Sequence, residues 1–201
     1  MCYPALMLEF APLFTLVAVT SRDGFITGPS GEPPAAWASP EEQRLFAETV
    51  GALDWSFVGR VTHELAWRPA RRRVVFSRRC PTPLWRHPAR LWVDPERIPL
   101  AVILETIRPV HPAAHCGILG GVAVHDWFAE RGLIDAAEIT IEPVSFAAGL
   151  PLLSGRQGQD PIASLDAVGL RLTSTLRLNA AGTRLCRFAR KTPRAGPPTR
   201  D

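Results

Sequence analysis

The chain has 201 residues, enough for one domain with a substantial core, and its 46% hydrophobic and 21% charged residues exclude a disordered polymer. Its formal charge of +4 and pI of about 9.3 admit a phosphorylated ligand, nucleic acid or a membrane surface, and choose none of them. No stretch approaches the roughly 18 uninterrupted apolar residues of a membrane helix.

Residues 1–20 are apolar, but Glu9 and two prolines interrupt them, with no basic start and no small-residue cleavage site, so they do not read as an export signal. Cys2, Cys80, Cys116 and Cys186 show no CxxC spacing and are expected to be reduced thiols in a cytoplasmic protein. The twenty prolines cluster between the apolar runs and read as loop punctuation. The expected organisation is an extension over 1–11, one domain over 12–190 and a flexible tail over 191–201.

The apolar, β-branched run 14–20 predicts a buried strand ended by Ser21-Arg22-Asp23-Gly24. After a Pro/Gly-rich loop, Ser39-Pro40-Glu41-Glu42 opens a helix with Ser39 as N-cap, Pro40 at its first position and Glu42 at its third. Leu45, Phe46, Val50 and Leu53 form its apolar face. Strands follow at 55–58, 73–76 and 89–93, then a helix at 98–107 with Pro99 in its first turn. The run 116–119 is a strand leading into Gly120-Gly121, a helix occupies 122–131 and a strand 137–144. Residues 170–178 and 183–188 form an antiparallel hairpin around Asn179-Ala180-Ala181-Gly182. Alternating strands and helices imply an α/β fold, a mostly parallel sheet covered on both faces and closed by the hairpin.

Ligands of such sheets lie beyond the carboxyl ends of the strands, and three segments there suit phosphates. Gly59-Arg60-Val61-Thr62 combines a close-approach glycine with a helix start, and Leu119-Gly120-Gly121-Val122-Ala123 repeats the arrangement. Ser77-Arg78 pairs a hydroxyl with a guanidinium fork, a set suited to a phosphate monoester such as the 2′-phosphate of NADPH. Ordinary turns and a solvated basic loop are the plain alternatives. Nucleic acid is a weaker reading because the aromatic residues are not interleaved with the basic ones. His111, His115 and Cys116 are not a metal set, since Pro112 keeps the histidines off a common helical face. Trp85, Trp92 and Trp127 are expected in the core or at a subunit contact.

In order along the chain stand S-x-D-G-x-I (21–26), S-P-E-E-Q-R (39–44), V-G-R-x-T (58–62), V-V-x-S-R (74–78), the stretch from Gly120 to Asp135 and E-I-T-I-E-P-V (138–144). This pattern resembles the dihydrofolate reductase superfamily, in particular the reductase domain of the bifunctional riboflavin-biosynthesis deaminase/reductase. The resemblance implies a three-layer dihydrofolate-reductase-like fold and hydride transfer from NADPH to a small heterocyclic substrate, ribosylaminopyrimidine- or pteridine-like, with dihydrofolate reductase activity as the alternative and, from another class, a non-catalytic NADPH-binding or regulatory protein. It implies Val17 and Ala18 beside the nicotinamide, Ile26 among the cofactor-binding residues, the two glycine segments at the pyrophosphate and Ser77 with Arg78 at the 2′-phosphate. Trp37 and Phe46 would touch substrate, and Asp23 or Glu42 would be the acid. Both acids have plain readings: Asp-Gly is a good turn, and Glu42 stands where a helix-capping glutamate belongs. Relatives often dimerise, so a homodimer is expected. The chain departs from the riboflavin reductases at 63–69, HELAWRP, where they carry an acidic D-D-P segment.

Overall fold

The structure is a computed structural model that describes residues 11–66 and 70–192. The expected 1–11 extension and 191–201 tail fall almost wholly outside the described residues, as does 67–69 of the departing segment.

β1 (Leu13–Thr20) is followed by a 3₁₀ turn at Pro34–Ala36, α1 (Pro40–Gly51), β2 (Trp55–Gly59), α2 (Arg60–Leu65) and β3 (Arg73–Phe76). Then come β4 (Leu84–His87), β5 (Arg90–Val93), α3 (Leu100–Ile107), β6 (His115–Gly120), α4 (Val122–Glu130) and β7 (Ala136–Ile141). α5 (Pro161–Asp166), β8 (Leu170–Arg177) and β9 (Arg184–Arg190) complete the fold. The strands form one sheet in the order β4-β5-β3-β2-β6-β1-β7-β9-β8. The six strands from β5 to β7 are mutually parallel, while β4, β9 and β8 pair antiparallel.

The core follows from strand alternation. On β1, Phe14 and Leu16 point into the larger cluster with Phe57, Phe76, Trp127 and Phe128, beneath α3 and α4. Val17 points the other way, against Val50, Leu53 and Phe46 of the α1 region. The buried aromatic rings meet edge-on, as Phe57 does with Phe76 at 5.8 Å and Phe128 at 5.3 Å. Removing a ring at the centre, as in Phe57→Ala, would cost about 3–5 kcal/mol.

The α/β architecture matches expectation, with differences that have physical causes. β4 lies between prolines and is exposed throughout, so no buried alternation marks it. α5 is only six residues long, too short to show a helical period. β7 stops at Ile141: the Glu142 amide is still bonded to Thr20 O at 2.8 Å, but Pro143 after it has no amide hydrogen to pair. The three tryptophans are not one cluster: Trp127 belongs to the main core, Trp92 packs with Val58, Val75 and Cys80, and Trp85 is partly exposed beside Trp55. Cys80, Cys116 and Cys186 are buried free thiols. Among the described residues no helix is long and apolar enough to cross a membrane.

Candidate active site

The chain runs from β1 outward to β5, then returns through β6 to β7 on the other side of β1. The strand order therefore reverses around β2, β6 and β1, the position where open α/β sheets form their ligand crevice. Gly59 ends β2 and Gly120 ends β6, and their loops touch: a Cβ on Gly59 would sit 3.7 Å from the Gly121 amide nitrogen. Gly59 is the N-cap of α2 and Gly121 that of α4. Neither cap offers a side-chain acceptor to the helix, and neither helix has an acidic residue in its first turn. The first-turn amides of Arg60-Val61-Thr62 and Val122-Ala123 thus converge as an electropositive, uncapped pair of helix starts, a donor set suited to a pyrophosphate. Gly120 has φ +92°, and a Cβ there would lie 2.5 Å from His125 Nε2. His125 is buried, donates Nδ1–H to Leu152 O at 2.9 Å, and is held neutral by that burial.

Ser77 follows β3 one strand further out, since Gly59 pairs with Phe76 in the register. Its hydroxyl accepts from the Arg79 amide at 3.4 Å, while Arg78 is exposed. Arg60 is engaged by Glu64 at 2.8 Å, leaving Arg78 the better placed of the two for an incoming phosphate. A phosphorylated dinucleotide therefore fits these residues. Leu119, partly buried, packs against both the cluster of Val58, Val75, Cys80 and Trp92 and that of Val17, Val50 and Leu53, and Ile26 is buried in the main core.

Across β1, Val17, Ala18, Glu42, Leu45, Phe46, Thr49, Glu138, Thr140 and Leu185 line a small cavity of about 10 Å³, room for one water. A larger groove of about 450 Å³ adjoins it and shares Thr49 and Glu138. Glu42 and Phe46 come together here, but Trp37 does not: it packs edge-on against Phe146 at 5.1 Å. Asp23 lies apart as well. Its carboxylate accepts from the Phe146 and Ala147 amides at 3.1 and 2.8 Å, tying the first loop to the segment after β7. Burial alone would raise its pKa, but the Ser21 hydroxyl and those two amides outweigh it and hold the group below its ordinary value. Asp23 is a fixed anion at a turn.

Glu42 behaves oppositely. Ser39 Oγ accepts from the Glu42 amide at 3.3 Å, as an N-cap should. A capping box would send the Glu42 carboxylate back to the Ser39 amide. Here that amide donates to Glu142 Oε1 instead, at 2.8 Å, across 103 residues of sequence. Glu142 Oε2 also accepts from the Thr183 hydroxyl at 2.6 Å. With its capping task taken over, Glu42 faces the cavity at 3% exposure, where burial first and the Glu142 charge second push its pKa up to about 7. Glu142 and Thr183 were not singled out from the sequence. In the sequence Glu142 stands out only as one of two glutamates, with Glu138, that break the apolar run of 137–144.

The residues first considered for a metal have other partners: His111 with Asp54 at 3.3 Å and His115 with the Thr15 hydroxyl at 3.3 Å, while Cys116 is buried and its thiol is pushed up to about 12 by that burial and Asp54.

A riboflavin biosynthesis protein, so described, from Shewanella sp. PV-4 superposes with a TM-score of 0.67 at 17% identity, over 90% of this chain and 99% of that one. The chain has the dihydrofolate-reductase-like fold. A dihydrofolate reductase from Enterococcus faecalis, complexed with NADP(H), matches with a TM-score of 0.59 at 16% identity, over 90% of this chain and 97% of that one. A diaminohydroxyphosphoribosylaminopyrimidine deaminase/5-amino-6-(5-phosphoribosylamino)uracil reductase from Thermotoga maritima matches with a TM-score of 0.61 at 15% identity, over 89% of this chain. The chain spans 56% of that bifunctional protein's length. No protein-family profile and no curated protein sequence matches the chain.

Proposed function

We propose that the protein is an NADPH-dependent reductase acting on a ribosylaminopyrimidine- or pteridine-like heterocycle, with Glu42 as the acid at the substrate. Bound NADPH would supply the hydride that reduces a C=N or C=O bond. The observation that carries the reading is Glu42: a buried carboxyl, relieved of its capping role, at a cavity beside Val17 and Ala18. A group that titrates near 7 can hold a proton at neutral pH and release it toward a substrate nitrogen or oxygen.

The chain's own residues divide the work. The uncapped starts of α2 and α4 would hold the pyrophosphate, and Ser77 with Arg78 the 2′-phosphate. Val17 and Ala18 would form the floor that brings the reacting rings together and excludes water. Asp23 supports the site by fixing the loop after β1, and Trp37 braces Phe146. Within the same chemistry, reduction of dihydrofolate is the second reading, favoured by the single acid that helix α1 places at the cavity. The chain spans little more than half of the bifunctional riboflavin enzyme, so that enzyme's phosphoribosyl substrate is one member of the set to be assayed.

The decisive experiment is NADPH binding, followed by tryptophan fluorescence quenching with NADH and ATP as controls, then NADPH oxidation with ribosylaminopyrimidines and with dihydrofolate. Preferential NADPH binding and turnover of one of these substrates is expected. Equal, weak response to all three nucleotides would refute the cofactor assignment and leave a scaffold with another task.

A further inference from the structure

Two residues of α4 reach past the glycine junction to the long connection after β7. His125 donates Nδ1–H to Leu152 O at 2.9 Å, and Asp126 Oδ1 accepts from the Ser154 amide at 2.9 Å. The opposite edge of that connection is paired with the loop after β1. The Leu152 amide donates to Gly24 O and the Ile26 amide to Leu150 O, both at 2.8 Å, and Phe25 and Pro151 form an antiparallel bridge. The Thr27 hydroxyl accepts from the Leu150 amide at 2.9 Å. Residues 150–154 are therefore held between α4 on one side and residues 24–27 on the other.

The His125 ring makes a second contact, on its other edge. It is 1% exposed, and among the described residues its Nε2 has no hydrogen-bond partner. Because the neutral ring carries its one proton on Nδ1, where Leu152 O accepts it, Nε2 is bare. That bare edge lies on the α-carbon of Gly120: a Cβ there would stand 2.5 Å from Nε2, 3.0 Å from Cε1 and 3.5 Å from Cδ2. The glycine hydrogen that points the same way meets the Nε2 lone pair, a weak C–H contact. Gly120, at φ +92°, is thus backed by a flat ring where any side chain would collide.

We propose that His125 is a positioning residue that holds the two sides of the candidate site in one fixed relation. Its bare edge sets Gly120, and with it the junction whose amides are free for a phosphate. Its Nδ1–H sets Leu152, and through Leu152 the loop that carries Ile26. The two tasks need different parts of the ring. Leu152 is itself 1% exposed, and a buried carbonyl left without a donor is costly, so the loop side depends on the N–H. The junction side depends on shape, because a void behind Gly120 removes the atoms that fix its backbone. Asparagine places an amide N–H near the position of Nδ1 but nothing against Gly120, and phenylalanine keeps the ring edge but has no donor.

The inference deepens the nucleotide site proposed above, so it rests on that reading for its purpose but not for its test. Amide hydrogen exchange is followed by NMR in the ligand-free wild type, His125→Asn and His125→Phe. The Val124 amide, bonded to Gly121 O at 2.9 Å, reports on the junction, and the Leu152 and Ile26 amides report on the loop. Amides of β1 and β7 give the global stability against which both are scaled. His125→Asn is expected to speed exchange at Val124 by about tenfold and leave Leu152 and Ile26 as in wild type, and His125→Phe to do the reverse. Should one variant fail to fold, the other's half of the pattern decides. Equal acceleration of both sets, or of neither, would overturn the inference and leave His125 as core filling. A wild-type ring whose ¹⁵N spectrum places the proton on Nε2 would overturn it as well. The exchange pattern needs no nucleotide, so failure to bind NADPH would sink the reductase reading separately.

Discussion

The two halves of the candidate site are built from different materials. The half proposed to hold phosphates is made of backbone: glycines at the ends of β2 and β6 and the amides of the two helices they open. The acid half is made of side chains that meet only through long-range contacts, Ser39 with Glu142 and Glu142 with Thr183. A backbone site is encoded locally, by residues that lack a side chain at a strand-to-helix junction. A side-chain site is encoded by partners more than 40 residues apart, which no local pattern announces.

That contrast can be broken most severely at Gly120. A methyl there meets His125 Nε2 at 2.5 Å on a backbone of φ +92°, so Gly120→Ala should cost about 3 kcal/mol of stability, read by thermal or urea unfolding, and weaken NADPH with it. Gly59→Asp separates binding from folding. The nearest heavy atom to its Cβ, Val124 Cγ2, lies at an ordinary 3.6 Å, so the side chain fits and can cap α2, holding stability within about 0.5 kcal/mol of wild type. Its charge would occupy the phosphate position and weaken NADPH by about a hundredfold in the same fluorescence titration. Unchanged affinity would show that the phosphates lie elsewhere.

Glu42→Gln probes the other half. It should lower turnover by about tenfold to a hundredfold while leaving NADPH affinity as it was. Its effect on stability has a sign set by the raised pKa. Between pH 4.5 and about 7 the folded wild type binds a proton that the unfolded chain has released, so wild-type stability falls as pH rises through that window. Glutamine carries no such loss. The variant should therefore gain on wild type from pH 5 to pH 8, by up to about 3 kcal/mol. A difference that is flat with pH would mean that Glu42 is an ordinary carboxylate. The smallest effect belongs to Arg78→Ala, which should weaken NADPH by about tenfold and NADH hardly at all if the exposed guanidinium serves the 2′-phosphate as proposed. Equal losses for both nucleotides would remove Arg78 from that role.

Much of the scaffold was legible because buried parallel strands leave uninterrupted apolar runs and their junctions leave glycines. The hairpin was legible from its turn, where Asn179 Oδ1 does accept from Gly182 and Thr183. β4 and α5 were not, one being exposed and the other too short for periodicity to show. At the site, the sequence left Glu42 balanced between cap and acid, because S-x-x-E is the pattern of both. The capping-box role of the Glu42 carboxylate is removed only by Glu142 reaching Ser39 from β7's far end, a contact made by tertiary folding and invisible to spacing. Asp23 and Trp37, which stand in motif positions, turn out to hold loops through the 144–147 segment rather than line the cavity.

The hairpin's grip on α1 also orders events as the chain emerges from the ribosome. The glycine junctions and both helix starts are complete in sequence by residue 130, whereas Glu142, which takes the Ser39 amide, gains its Thr183 donor only when the β8–β9 hairpin is made. The contact that fastens the hairpin to the start of α1 is thus the last part of the candidate site to be translated.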